Sequence, residues 1–255
     1  MQRVLIMDPT PAAVNLLTDL LRDISKCQVW SAPTPERAMS LAKSVAPQLI
    51  FAEQSPTVDG IGFTRALRRS SYACRQSPVI MITADATAAV IIGARDAGVH
   101  EFLRKPYTIK DLMRRIEAVT LRRRDWIEAV GYVGPDRRRF NSGDYAGPLK
   151  RRTDTAHLTD AERLLQALKI LKSAFSALDT DRDQALRAMR AQVETCQGCA
   201  IGLSDLELSA ASNEAARYLA LVTAGSLDRV ALDRRLAPLV ARLTADGAPA
   251  ASIAA

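Results

Sequence analysis

Histidine is almost missing from this chain: His100 and His157 are the two in 255 residues. That scarcity excludes a histidine-rich metal site. His157 precedes the first C-terminal helical stretch and His100 lies in the N-terminal half, so no histidine stands mid-helix to carry a phosphoryl group. Cysteine is scarce too, at Cys27, Cys74, Cys196 and Cys199. The single Cys-x-x-Cys pair has neither a second pair nor nearby histidines to complete a zinc set. It falls toward the end of a helical stretch rather than at a strand-to-helix turn, which favours small buried residues over redox chemistry. Dispersed thiols fit a reducing compartment. No apolar run approaches the roughly 20 residues that span a bilayer, and an apolar strand starts at Arg3, leaving no room for a signal peptide. The expectation is a cytoplasmic protein with no membrane insertion and no bound metal.

With 48% apolar residues over this length, the chain can bury a sizeable core and suggests two domains. In the N-terminal half, helical periodicity at 11–25, 35–46, 60–70, 86–97 and 108–124 alternates with strand patterns at 3–8, 28–32, 48–53, 78–83 and 101–104. That alternation predicts a doubly wound α/β fold with a five-stranded parallel sheet and right-handed crossovers. From residue 158 the pattern is helical only. Thr159-x-x-Glu162 and Ser204-x-x-Glu207 read as capping boxes, each followed by an apolar stripe. Pro238 should kink or split the last helix. The expected organisation is a domain at 1–121, an Arg-rich linker at 122–157, a small all-α bundle at 158–244 and a flexible tail at 245–255.

Ligands of such a sheet collect where the strands' carboxyl ends meet. Here those ends carry Asp8 after Arg3–Met7, Ala52-Glu53 ahead of Pro56 and Asp59-Gly60, Thr83 after Val79–Ile82, and Lys105-Pro106 after Phe102–Arg104. In this spacing the chain resembles the receiver domain of two-component response regulators, the chemotaxis-regulator type, over a little under half its length. The resemblance implies a flavodoxin-like fold and a phosphorelay role. It assigns the first metal-binding acid to Asp8, the hydroxyl to Thr83 and the phosphate-neutralising lysine to Lys105. The second acid position is Pro9, and the phosphoacceptor position, seven before Asp59 and four before Pro56, is Ala52. A methyl group is no nucleophile, and proline brings no carboxylate to Mg²⁺. A non-enzymatic pseudo-receiver with a crippled magnesium site is therefore expected, its Asp8 and Lys105 forming an ion pair. Glu53 is read as a loop glutamate beside the pocket: adjacent strand residues face opposite ways, and a bulge would be needed to bring it in as acceptor or phosphate mimic.

Between the domains, Tyr132-Val-Gly-Pro-Asp-Arg137-Arg138-Arg139 recurs thirteen residues on as Tyr145-Ala-Gly-Pro-Leu-Lys150-Arg151-Arg152. The shared pattern, Tyr-x-Gly-Pro-x-(Lys/Arg)-Arg-Arg, supplies stacking rings, a turn and a cationic triplet. Residues 122–152 hold a net charge of +5, against +4 for residues 1–121 and zero for 158–244. The linker is thus the expected anion-binding element, with Tyr132, Arg137, Arg138, Arg139, Tyr145, Lys150, Arg151 and Arg152 as candidate contacts. Its placement and composition resemble those of chemotaxis-type receivers that bind cyclic di-guanylate. Two readings stay open: a signalling adaptor that docks a protein partner through the receiver face or the bundle, and a nucleic-acid-associated regulator using the basic linker. The neutral bundle favours the first. The oligomeric state is not legible.

Overall fold

A computed structural model describes residues 2–121, 124–137, 159–223 and 225–243. The first ten elements are β1 (Arg3–Met7), α1 (Pro11–Ile24), β2 (Gln28–Ala32), α2 (Pro35–Val45), β3 (Leu49–Glu53), α3 (Gly60–Arg69), β4 (Val79–Thr83), α4 (Ala88–Asp96), β5 (Glu101–Arg104) and α5 (Ile109–Leu121). The strands form one sheet in the order β2-β1-β3-β4-β5, and every adjacent pair is parallel.

Alternation along each strand divides the sheet between two cores. Leu5, Met7, Ile50, Ala52, Val79, Met81 and Phe102 pack with α2, α3 and α4 residues such as Ala42, Phe63, Leu67 and Ala94. Val4, Ile6, Leu49, Phe51, Ile80, Ile82 and Leu103 pack with Leu17 and Leu21 of α1 and Leu112 and Ile116 of α5. This is the two-sided burial that apolar parallel strands require. It brings the ends of β1, β3, β4 and β5 to one edge.

The expected linker is structured in its first part. Two short strands, β6 (Trp126–Glu128) and β7 (Val133–Pro135), pair with each other. Among the described residues the chain divides into two compact units: residues 2–127 with 132–137, and residues 128–131 with the C-terminal helices.

Those helices are α6 (Asp160–Ser176), α7 (Arg182–Gly202), α8 (Leu206–Leu221) and α9 (Arg229–Val240). Their apolar faces close on a core that includes Leu164, Leu168, Leu171, Met189, Val193, Leu219 and Leu236. Thr159 and Glu162 form the expected reciprocal capping box on α6. The second box is corrected. Asp205 is the N-cap of α8, accepting from Leu208 N, while Ser204 takes a positive φ at the preceding turn. The carboxylate supplies the acceptor one residue later than the Ser-x-x-Glu pattern suggests. Pro238 does not split α9. The helix runs on to Val240, and the proline costs it the one bond that an N–H at 238 would have made to the carbonyl four residues back.

Candidate functional site

The edge where the strands end carries a cluster of three charges. Asp8 follows β1, Glu53 closes β3, and Lys105 follows β5, its backbone N donating to Thr83 O at 2.7 Å. The Lys105 ammonium donates to Asp8 Oδ2 at 3.1 Å and to Glu53 Oε2 at 2.6 Å. Asp8 Oδ1 meanwhile accepts from Thr10 N at 2.8 Å. Both carboxylates are buried and Lys105 is half-buried.

The expected place of Glu53 is corrected. β3 continues in register through Glu53, opposite Ile82, with no bulge. Ala52 points with Ile50 into the core under α2–α4, and Phe51 faces the α1–α5 side. Glu53 shares the parity of Phe51, and the long lysine stem reaches it there. Straight strand geometry therefore brings the glutamate to the lysine.

Electrostatics follow from this crowding. Burial raises the Glu53 pKa, only partly opposed by the Lys105 hydrogen bond and charge. For Lys105, burial disfavours the cation, but the hydrogen bonds and charges of Glu53 and Asp8 outweigh it and raise its pKa. Tyr107, beside the cluster, is raised chiefly by burial.

The side chains of the two remaining positions, Ala52 and Thr83, are not among the hydrogen-bond partners of the cluster. Ala52 is fully buried among core residues including Met7, Val58 and Met81. Thr83 is also fully buried, and its hydroxyl accepts from Asp85 N at 3.1 Å in the turn before α4. The loop after β3 keeps its shape through Asp59, which caps α3 on Gly62 N at 2.7 Å. Gly60 is required there, because a Cβ would stand 2.3 Å from Glu53 O. The donor set does not fit magnesium: Pro9 supplies no oxygen, and the oxygens of Asp8 and Glu53 that face the pocket already hold an ammonium.

At the other end of the strands, Trp126 and the residues around β7 pack on the α/β unit through groups with no signal in the sequence pattern. Arg68 of α3 is fully buried. It donates to Gly98 O at 3.0 Å, Arg75 O at 2.6 Å, Ser77 O at 2.9 Å and His100 Nδ1 at 3.1 Å. Its guanidinium and that of Arg75 lie 5.4 and 5.8 Å from the Trp126 ring centroid. Arg115 and Arg124 both pair with the buried Glu101. Arg68 stands four residues after Thr64, on the buried stripe of α3.

Tyr132, expected to offer a ligand a stacking face, is buried instead. Its hydroxyl donates to Pro135 O at 2.5 Å, and Arg137 stacks on its ring at 4.8 Å while pairing with Asp96 at 3.0 Å. Arg138, Arg139, Tyr145, Lys150, Arg151 and Arg152 lie outside the described residues. In the bundle, Cys196 and Cys199 are fully buried in α7. Burial raises both thiols, that of Cys196 up to about 12, which suits packing rather than thiolate chemistry. Among the described residues, no helix is long and apolar enough to cross a membrane.

Comparison with known proteins agrees with this geometry. Residues 4–117 match the model of the response regulator receiver domain. A Rhizobium etli protein named "Probable chemotaxis protein CheY" is 31% identical over 118 residues, 46% of this chain and 91% of its own length. The transcriptional regulatory protein CpxR of Escherichia coli K12 is 30% identical over 128 residues, 50% of this chain and 53% of its own. The chain thus spans about half the length of that relative. Among solved structures, Vibrio cholerae CheY4 covers 47% of this chain and 98% of its own at 22% identity and a TM-score of 0.43. A CheY-like receiver protein of Methanospirillum hungatei JF-1 covers 46% and 91% at 19% and 0.42. With a receiver-type sheet, charges gathered at its carboxyl edge and a chemotaxis-regulator relative matched over nearly all its length, this chain belongs to the response regulator receiver family.

Proposed function

We propose that the chain is a cytoplasmic, non-enzymatic response regulator whose receiver signals without phosphoryl transfer, presenting its surface and its helical bundle to a protein partner. The observation that carries this is the pair of substitutions at the strand edge: a buried methyl, Ala52, where the acceptor carboxylate belongs, and Glu53 holding the lysine that would otherwise meet a phosphoryl group. Incubation with acetyl phosphate and Mg²⁺ tests it by intact mass. No phosphoryl addition is expected, and a stoichiometric base-labile adduct on Glu53 or Asp8 would overturn the reading.

We further propose that the linker binds a compact anionic ligand of the cyclic di-guanylate type. Its net charge of +5 in 31 residues supports this. With Tyr132 and Arg137 engaged on the receiver, the candidate contacts are Arg138, Arg139, Tyr145, Lys150, Arg151 and Arg152. Calorimetric titration with cyclic di-guanylate, with GTP and single-stranded RNA as controls, tests it. Charge reversal of Arg138 with Arg139, or of Arg151 with Arg152, is expected to remove most of the affinity. Binding of RNA or DNA instead, with graded losses and a salt slope of roughly −0.9 per phosphate contacted on duplex DNA, would favour a nucleic-acid-associated regulator.

A further inference from the structure

The first copy of the repeat is built around the positions that the second copy shares. Tyr132 folds over Gly134 and donates to Pro135 O. Gly134, with φ of +159°, lies so close to the receiver that a Cβ there would stand 2.7 Å from Gly98 Cα and 2.8 Å from the Tyr132 hydroxyl. Gly98 answers with φ of +89°, and a Cβ on it would stand 2.7 Å from Val133 O. Arg137 stacks on the Tyr132 ring and reaches Asp96. The tyrosine, the glycine, the proline carbonyl and the cation each have a task in this docking, and each recurs in Tyr145, Gly147, Pro148 and Lys150.

The unshared positions also make contacts through their backbones. Val133, whose side chain is buried, stands opposite Ala146 in the alignment of the copies, and its close approach to Gly98 is through a backbone oxygen. Asp136 stands opposite Leu149; its backbone N donates to Asp125 O at 2.7 Å, and its charge acts on Tyr132. A composition-driven basic linker would repeat its charge. It would not also repeat a glycine where the first copy has no room for a Cβ, nor the tyrosine whose hydroxyl closes on Pro135 O.

We propose that the groove formed by Asp96, Gly98 and the adjoining face of Trp126–Ile127 is a docking site for the Tyr-x-Gly-Pro-x-(Lys/Arg) motif. Its second occupant is residues 145–150 of the same chain, so the segment after Ile127 has two registers thirteen residues apart. Entry of the second copy lengthens one loop, and loop-closure cost grows only slowly with length. Lysine at position 150 lacks the planar stacking face of arginine, so the first copy is the resting occupant. An exchange of registers would move Arg138 and Arg139 relative to Arg151 and Arg152. Groove occupancy and presentation of the arginine pairs are thereby linked.

Cysteine crosslinking in the full chain tests the exchange. In a Cys27→Ser background, where the other three native cysteines are buried, Asp96→Cys is combined with Arg137→Cys, with Lys150→Cys, or with Ser142→Cys as a control between the copies. A short bismaleimide is expected to join 96 to 137 most readily, and 96 to 150 severalfold more than 96 to 142, within one chain. Gly147→Val should reduce the 96-to-150 product to the control level, and Gly134→Val should increase it. Equal yields at 150 and 142, indifference to Gly147→Val, or products that mainly join two chains would overturn the proposal. Thermal melting gives a second measurement. Tyr145→Ala alone should be silent, Tyr132→Ala should lower Tm, and the two together should lower it by more than their sum. A Tyr145→Ala that stays silent in the Tyr132→Ala background would also overturn it.

Discussion

The Arg68 guanidinium lies 5.4 Å from the centroid of the Trp126 ring, and it is held there by three backbone carbonyls and an imidazole, with no carboxylate among its hydrogen-bond partners in the described residues. A fully buried cation in that setting is stabilised by its hydrogen bonds and by the ring face, so both are sensitive to truncation. Arg68→Met leaves several carbonyls unsatisfied and should cost about 3 kcal/mol or more of unfolding free energy. Arg68→Lys should recover little, because an ammonium cannot span the same acceptors. Trp126→Ala should cost about 2 kcal/mol, since the ring is only half-buried. Urea denaturation of the full chain followed by circular dichroism measures all three.

His100 accepts from Arg68 through Nδ1. Burial, with the Arg68 and Arg124 charges adding, places its pKa well below the usual histidine value. The unfolded chain therefore binds a proton near pH 6.5 that the folded chain refuses. The contribution is fully present above that pH. It is lost as pH falls toward the folded value, at up to about 1.4 kcal/mol per pH unit. His100→Asn should lower stability at pH 8 but flatten the decline between pH 6.5 and 5. Denaturation midpoints across that range decide it, and a slope unchanged by the substitution would count against the assignment.

The receiver was legible because each signal there is local. Apolar runs ended by Asp8, Glu53, Thr83 and Lys105 gave the strands nearly to the residue, and Thr159 with Glu162 gave the start of α6. The side of the sheet on which Glu53 acts is not legible from β3 alone: the acceptor position points to the Ala52 side, whereas the reach of the Lys105 side chain decides where the charges meet. The structured segment around Trp126 was hidden for a related reason. Its strands are three residues each, too short for periodicity, and its partners Arg68, Gly98 and His100 are distant in sequence. Nothing in the sequence around Arg68 singles it out as a core residue, because its carbonyl partners and the Trp126 ring come from other elements.

Lys105 stands between two buried carboxylates, so its removal leaves like charges without a counter-ion. Lys105→Met should cost about 3 kcal/mol, while the double variant Lys105→Met with Glu53→Leu should recover much of that loss. The raised folded pKa of Lys105 adds a pH signature. Its contribution is fully present below the unfolded value near 10.4 and is lost as pH rises through the higher folded value. The alkaline limb of stability against pH should flatten in Lys105→Met. Linker ligand binding should be unchanged. Loss of partner or ligand binding without loss of stability would show that the cluster is a working site.

Restoring the acceptor alone should not restore a phosphorylatable receiver. Ala52→Asp puts a third carboxylate at an edge that holds one ammonium, and it places that carboxylate in a position now packed by Met7, Val58 and Met81. Like-charge repulsion and burial should cost about 2 kcal/mol or more. Lys105 would remain on Glu53 at 2.6 Å, and Asp8 would still share its oxygens with Lys105 and Thr10. Magnesium would therefore lack an open pair of carboxylates. Adding Pro9→Asp supplies the second metal acid, and Glu53→Leu frees the lysine for a phosphoryl oxygen. Only the triple variant should gain a phosphoryl mass from acetyl phosphate and Mg²⁺, with Ala52→Asp alone remaining unmodified. Full modification of the single variant would show that the Glu53–Lys105 contact yields easily and does not block the pocket.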